Sequence, residues 1–309
     1  MILCCGEALI DMIPTPVEGG QSAFRPLPGG AIFNTAIALG RLRVQSGMLT
    51  GLSNDLFGQQ LASALHASQV DTSMVVYSKA PTTLAFVELS DGHASYTFYD
   101  ENTAGRMLKS EDIPEISDDV GCMYFGGISL CSEPGADSYL ALAEQEAESR
   151  VIMIDPNIRA SFIEDITRYR DRINAMFRVA DIVKVSDEDL NWIMPGPEAL
   201  TAKAASLLAA GPSAVIVTKG SEGATAYLRD GTEVTVPAHR VEIVDTVGAG
   251  DTFNAGVLAR LSELGLLTKD GISGISASMM QDALAHGAKV AAVTVSRAGA
   301  NPPWAHELG

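Results

Sequence analysis

An α/β fold, a mostly parallel sheet wrapped by helices with a small β-stranded lid, is predicted by three features of the 309-residue chain. Short apolar runs rich in Val, Ile and aromatic residues alternate with longer stretches of helical periodicity, the rhythm of β-α-β units. Residues 83 to 99 break that rhythm with "TLAFVELSDGHASYTFY", two strand-like runs around an "SDGH" turn, which reads as an inserted hairpin. No linker, repeat or low-complexity tract divides the sequence, so residues 1–309 are expected to form one domain large enough to bury a sizeable core.

The elements follow in order. "MILCC" is the first strand, and its adjacent Cys4 and Cys5 point to opposite faces. "GEALIDMIP" sets Asp11 just past it, and "PGGAIFNTAIALGRL" opens a helix with Gly29, Gly30 and Asn34 at its start. A carboxylate, an amide and exposed backbone suit sugar hydroxyls, each of which both donates and accepts; turn glycines and a helix-capping Asn are the plainer explanation. "SGMLTGL" and "FGQQLASALHAS" supply the next strand and helix. Residues 101 to 150 carry 11 Asp and Glu against 3 Lys and Arg, read as a solvated acidic face. "CMYFGG", "SYLALAEQEAE" and "VIMID" resume the alternation, and "IDPNIR" closes its strand with Asp155, Asn157 and Arg159. "YRDRINAMF", "DIVKV" and "AVIVTKG" continue it.

Two glycine-rich turns stand out in the C-terminal half. "VTKGSEGA" follows an apolar strand directly, where open α/β sheets bind ligands. There Thr218, Lys219, Gly220 and Gly223 offer hydroxyl, ammonium and backbone groups to a polyphosphate; a plain hairpin turn into "ATAYLRDGTEV" explains them equally. "DTVGAGDTFNAG" precedes "VLARLSELGLL", whose leucines have helical spacing, so Gly248, Ala249 and Gly250 feed a helix N-terminus. Nearly bare backbone at such a terminus can approach an anion closely. Asp251 would repel that anion, which suggests a base beside a transferring phosphoryl group; a helix cap is the alternative. The Ala-rich run "MMQDALAHGAKVAAVTV" leaves a face of small side chains suited to close helix packing, and "SRAGANPPW" closes the chain.

Composition removes several classes of function. A formal charge of −17 argues against nucleic acid and anionic membrane surfaces, which need basic patches. The four cysteines lack zinc-ligand and CxxC spacing. Neither a cleavable leader nor an apolar run approaching ~20 residues is present, so a reducing cytoplasm is expected. GxxxxGK[ST], GxGxxG after the first strand, HExxH and GxSxG are all missing; phosphate, if handled, is handled without the commonest loop.

In this order these stretches resemble the ribokinase-like (PfkB) carbohydrate kinases over essentially the whole chain. "DTVGAGDTFNAG" looks like that family's C-terminal signature and "PGGAIFNTAIALGRL" like its N-terminal one. "GEALIDMIP", "DPNIR", "IVKVSDEDL" and "VSRAGANPPW" look most like its fructokinase branch. The resemblance implies a Rossmann-like sheet with helices on both faces and a lid formed by roughly 11–27 and 83–104. It implies ATP as donor and Mg²⁺ on the phosphates. Asp251 would take the proton of the sugar's primary hydroxyl, and Gly248, Ala249 and Gly250 would hold the γ-phosphate. Asp11, Gly30 and Asn34 match sugar-binding positions, while Thr218, Gly220 and Gly223 match the nucleotide loop. Asp245 is similar to a residue that helps form a monovalent-cation site, which adds K⁺ as a candidate cofactor. Where many members show Asn-x-x-Glu, this chain has Ser186 and Asp189; the shorter Asp favours a water-mediated effect on Mg²⁺.

The expected activity is therefore an ATP-dependent sugar kinase, first for fructose. Arg159 could pair with a carboxylate, so 2-keto-3-deoxygluconate is the nearest alternative substrate. A non-catalytic sugar sensor on the same fold is a reading of another class, opposed by the retention of Asp251 with all three anion-hole positions. The exposed edge of the hairpin is a candidate surface for pairing with a second subunit.

Overall fold

A computed structural model describes residues 1–17, 22–90 and 93–309. The hairpin tip at 91–92 and residues 18–21 of the expected lid lie outside the described residues. In chain order the elements are β1 (Ile2–Cys5), β2 (Leu9–Pro16), β3 (Ser22–Gly29), α1 (Ala31–Arg41), β4 (Ser46–Leu49), β5 (Gly51–Ser53), α2 (Leu56–Ala67), β6 (Val76–Ser78), β7 (Leu84–Ser90) and β8 (His93–Tyr99). They continue with β9 (Cys122–Gly126), α3 (Gly135–Glu146), β10 (Val151–Asp155), α4 (Ile166–Val179), β11 (Ile182–Ser186), α5 (Asp187–Ile193), α6 (Leu200–Ala210), β12 (Ala214–Thr218), β13 (Ala224–Leu228), β14 (Glu233–Val236), α7 (Ala249–Glu263), α8 (Lys269–Ser273) and α9 (Ala277–Val295).

Eight strands form the main sheet in the order β14-β13-β12-β11-β10-β9-β1-β4. Strands β12 through β4 in that order pair in parallel, whereas β13 and β14 run antiparallel at one edge. A parallel sheet is covered on both faces, so its strands must be apolar at nearly every position rather than alternately. The pleat sends Ile2 and Cys4 into one core, Leu3 and Cys5 into the other, as expected of the adjacent cysteines. One core is completed by α1, α2, α7 and α9, the other by α3, α4, α5 and α6.

The small residues of α9 serve packing, as their pattern suggested. A β-carbon on Gly256 of α7 would lie 2.7 Å from the Gly287 Cα of α9. A methyl group there would force the helices apart, an overpacking cost of about 1–3 kcal/mol. This close approach keeps α7, and with it the residues at its N-terminus, in a fixed place against the sheet.

The hairpin expected at 83–99 is formed by β7 and β8. It joins β2 and β3 in a separate sheet of order β3-β2-β7-β8, with β2 and β7 parallel and both outer pairs antiparallel. Asp11, expected just past the first strand, lies on β2 of this small sheet. Among the described residues no helix is long and apolar enough to cross a membrane.

Candidate active site

Strand β1 lies between β4 and β9, so the chain leaves it toward both edges of the sheet in turn. Such a reversal opens a crevice beyond the carboxyl ends of the strands. Here the crevice is a cleft of about 320 Å³. Gly30 and Asn34 of the α1 turn, Asn157 and Arg159 after β10, Lys184 on β11 and Thr246–Asp251 line it from the main sheet. From the small sheet come Leu9 and Asp11 of β2 and Tyr96 and Phe98 of β8.

The N-terminus of α7 is set by Gly248, whose φ of 77° is left-handed and whose added β-carbon would meet the Ala300 side chain at 2.7 Å. Both facts require glycine. Asp245 ties the same loop down, accepting from Val247 N at 3.0 Å and from Gly299 N at 2.8 Å. The Ala249 amide turns to the Thr246 carbonyl at 3.2 Å. The amides of Gly250 and Asp251 have no acceptor among the described residues, the free donors of a first helical turn.

Asp251 is not a cap. Gly248 holds the cap position without a side-chain bond, and Asp251, only 8% exposed, lies two residues into the helix. Its Oδ2 accepts from Asn34 Nδ2 at 2.9 Å, while Thr35 Oγ1 donates to its carbonyl at 3.1 Å. Asn34 likewise caps nothing, because Gly30 (φ 106°) starts α1. Gly29 stands behind the cleft lining: a β-carbon there would fall 2.0 Å from Asp11 Oδ2, so its role is to leave room for that carboxylate. Burial pushes the Asp251 carboxyl up to about 6, against the Asn34 hydrogen bond. Burial, and then the Asp251 charge, raise Asp11 to about 6.

Beneath Asp251 lies a second carboxylate with different company. Asp155 Oδ2 accepts from Lys184 Nζ at 2.8 Å and from Asn254 Nδ2 at 2.7 Å, and Asp155 Oδ1 takes Asn157 N at 3.1 Å. Glu7 receives Ala31 N at 2.9 Å and Ser129 N at 3.4 Å. Burial raises it to about 7, with the backbone bonds opposing and Asp251 reinforcing the rise. Ser186 caps α5 by accepting Asp189 N at 2.9 Å, and Asp189 Oδ1 takes Ile158 N at 3.2 Å. Among the described residues no three His, Cys, Asp or Glu side chains converge as a metal site.

Asp11, Gly30, Asn34, Arg159 and the Gly248–Asp251 turn are thus brought together from residues far apart in sequence. Thr218, Lys219, Gly220 and Gly223 do not line this cleft. They form the β12–β13 hairpin turn beside the end of β11, where Ser186 pairs with Thr218. Gly223 is fixed by that hairpin, since its φ is 102° and a β-carbon would strike the Val236 carbonyl at 2.1 Å; Gly220 has φ 50° and open space around it.

Several lining residues were not singled out from the sequence, among them the polar and aromatic side chains of Glu7, Tyr96, Phe98 and Lys184. The signal for Lys184 was present, a charge in the middle of the fully buried strand "DIVKVS". Glu7, in "CCGEALI", offered the same contrast more weakly. Nothing local distinguishes Tyr96 and Phe98 from Thr97 and Tyr99, which alternate with them on β8.

The pfkB family carbohydrate kinase pattern matches residues 1–307. A fructokinase of Rhizobium leguminosarum bv. trifolii is 50% identical over 288 residues, covering 93% of this chain and 86% of that protein. Among solved structures, fructokinase from Vibrio cholerae O395, bound to fructose, ADP and calcium ion, is similar with TM-score 0.84 and 27% identity over 97% of this chain and 94% of that one. Fructokinase from Xylella fastidiosa with bound ATP is similar with TM-score 0.87 and 27% identity, over 99% and 97% of the two chains.

Proposed function

The chain belongs to the pfkB family of carbohydrate kinases, and on that premise we propose that it transfers the γ-phosphate of ATP to the primary hydroxyl of fructose, giving fructose 6-phosphate. The observation that carries this reading is Asp251, a buried carboxylate on the cleft wall beside two unused helix amides, held by one neutral amide. Ionised at neutral pH with its carboxyl at about 6, it is poised to accept the hydroxyl proton as the oxygen attacks phosphorus. The Gly248–Ala249–Gly250 turn takes the developing charge on the phosphate oxygens, chiefly through the free Gly250 and Asp251 amides. Asp11, Gly30 and Asn34 orient the sugar, and the Thr218–Gly223 turn takes the nucleotide.

ATP is a substrate here, and Mg²⁺ accompanies it. Mg²⁺ is commonly bound through one or two carboxylates, substrate phosphates and water, which fits a cleft where, among the described residues, no three acidic side chains converge as a metal site. When bound, it would neutralise phosphate charge, and Asp189 would reach it through water. K⁺ beside Asp245 is part of the same proposal, and cytoplasmic ATP together with four free cysteines supports an intracellular setting.

The small sheet, which overlaps the expected 11–27 and 83–104 and begins at Leu9, is proposed as a lid of a single 1–309 catalytic unit. Tyr96 and Phe98 face the sugar cleft, and closure would exclude water that competes for the phosphoryl group. Hydrogen exchange should slow in residues 84–90 and 93–99 on saturation with sugar; unchanged exchange removes the lid. Phe24, Phe86 and Tyr99 pack edge to face across this sheet at 5.0 and 5.4 Å, with Phe24 and Tyr99 exposed, which supports pairing with a second copy there.

The deciding experiment is ADP release across fructose, ribose, 2-keto-3-deoxygluconate, adenosine and fructose 6-phosphate. Among the described residues Arg159 bonds only carbonyls of its own loop, so it is the group a sugar acid would recruit. Fructose is expected to exceed 2-keto-3-deoxygluconate by at least about tenfold in kcat/KM. Arg159→Gln should lower fructose turnover without creating another preference. A wild-type preference for the sugar acid, abolished in Arg159→Gln, would overturn fructose while leaving the transfer chemistry; ADP release with no sugar above background would leave the sugar sensor.

A further inference from the structure

Lys184 stands on β11 with both faces of the strand covered, and it is 5% exposed. A lysine is almost never buried unless paired. Its partner, Asp155, does not by itself explain its presence, because well-packed apolar residues often replace a buried ion pair without loss of stability. The hydrogen bonding of the pair is asymmetric. Asp155 has three donors on its two oxygens, from Lys184, Asn254 and Asn157. The Lys184 ammonium has three N–H donors and, among the described residues, one acceptor. The remaining capacity faces the cleft that Lys184 lines. Its Nζ lies 3.5 Å from where a β-carbon on Gly250 would stand, next to the amide left without an acceptor.

The charges of the cleft give that position a purpose. Glu7, Asp11 and Asp251 line the same space and would repel an arriving polyphosphate. Among the described residues the two cations lining it are Lys184 and Arg159. Arg159 is exposed and bound to carbonyls of its own loop, so Lys184 is the buried one. A fixed ammonium in a water-excluded site acts on developing charge without reorganising.

We propose that Lys184 is a catalytic residue: its ammonium touches the phosphoryl group in transit beside Gly250, and Asp155 with Asn254 are positioning residues that aim it. As the bond from the γ-phosphorus to the ADP oxygen breaks and the bond to the sugar oxygen forms, the hydroxyl proton passes to Asp251 while Lys184 keeps its protons and offsets charge on the equatorial oxygens. This rests on the phosphoryl-transfer reading proposed above.

The test measures kcat and both KM values by ADP release, with thermal melting as a check on folding. Lys184→Met should lose about 10²- to 10³-fold in kcat, with KM for fructose changed by less than about threefold, and Lys184→Arg should recover at least about tenfold of that loss. Should Lys184→Met fail to fold because Asp155 is left alone, the neutral Lys184→Gln, whose amide can still donate to Asp155, is compared with wild type instead, and the same loss is expected. A kcat within about threefold of its parent overturns the proposal, as does a loss wholly in KM for ATP. Wild-type and Asp251→Asn enzymes keep the two readings apart. No wild-type turnover sinks the transfer reading, whereas turnover that needs Asp251 but not Lys184 sinks this inference alone.

Discussion

Asp251 on the cleft wall and Asp155 at the end of β10, bonded to the cleft-lining Lys184, are both buried carboxylates, and they are held in opposite ways. Asp155 is bonded by an ammonium, an amide and a backbone N–H. Asp251 receives one neutral amide, and burial pushes its carboxyl up to about 6. A carboxylate desolvated without a counter-ion is the better base, and one bonded on both oxygens by three donors has its lone pairs committed to holding its neighbours. The difference assigns proton transfer to Asp251 and positioning to Asp155.

The sharpest way to break this contrast is substitution with the isosteric amide. Asp251→Asn is expected to fold, bind both substrates and lose roughly 10²- to 10⁴-fold in kcat; near-normal kcat would end its role as base. Asp155→Asn should act first on stability. It removes the charge partner of Lys184, and breaking a buried pair costs about 3–5 kcal/mol, with the lower end expected because the amide oxygen still accepts. Chemical denaturation of the two variants reads the reversal directly. Equal stability losses would mean that both carboxylates are structural.

A smaller effect appears with pH. With Asp251 at about 6, kcat/KM should be half-maximal near that pH and fall about tenfold for each further unit of acid; a profile flat to pH 5 contradicts it. The stability contribution has the opposite sign. The folded carboxyl lies above its ordinary value of 3.8, so between about pH 4 and 6 the native state holds a proton that the unfolded chain has released. Ionisation of this group on going up through that window therefore destabilises the fold. Asp251→Asn should accordingly be more stable than wild type above about pH 7, and the gap should close as pH falls toward 4. A gap that widens in acid would mean that the Asp251 carboxyl is lowered by an attraction the geometry does not contain.

The two glycine-rich turns show where sequence reading succeeds and where it stops. Both were legible as turns, because glycine frees the backbone wherever it occurs. Only one reaches the cleft: Gly248 packs on Ala300 and opens α7, whereas Gly223 is required by the hairpin between β12 and β13. Local composition cannot separate these cases, since each depends on a neighbour distant in sequence.

The sequence by itself determined the alternating elements, because strands covered on both faces must be apolar throughout and helices must carry a periodic face. It also determined the two signatures whose order along the chain marks the family. The tertiary structure alone decided that Asn34 bonds Asp251 across 217 positions, that β2 pairs with β7 in parallel within the small sheet, and that Lys184 lies under Gly250 with Asp155 and Asn254. Those relations are set by strand order and helix packing. A base poised by burial and a cation aimed by its partners exist only once distant segments exclude water between them.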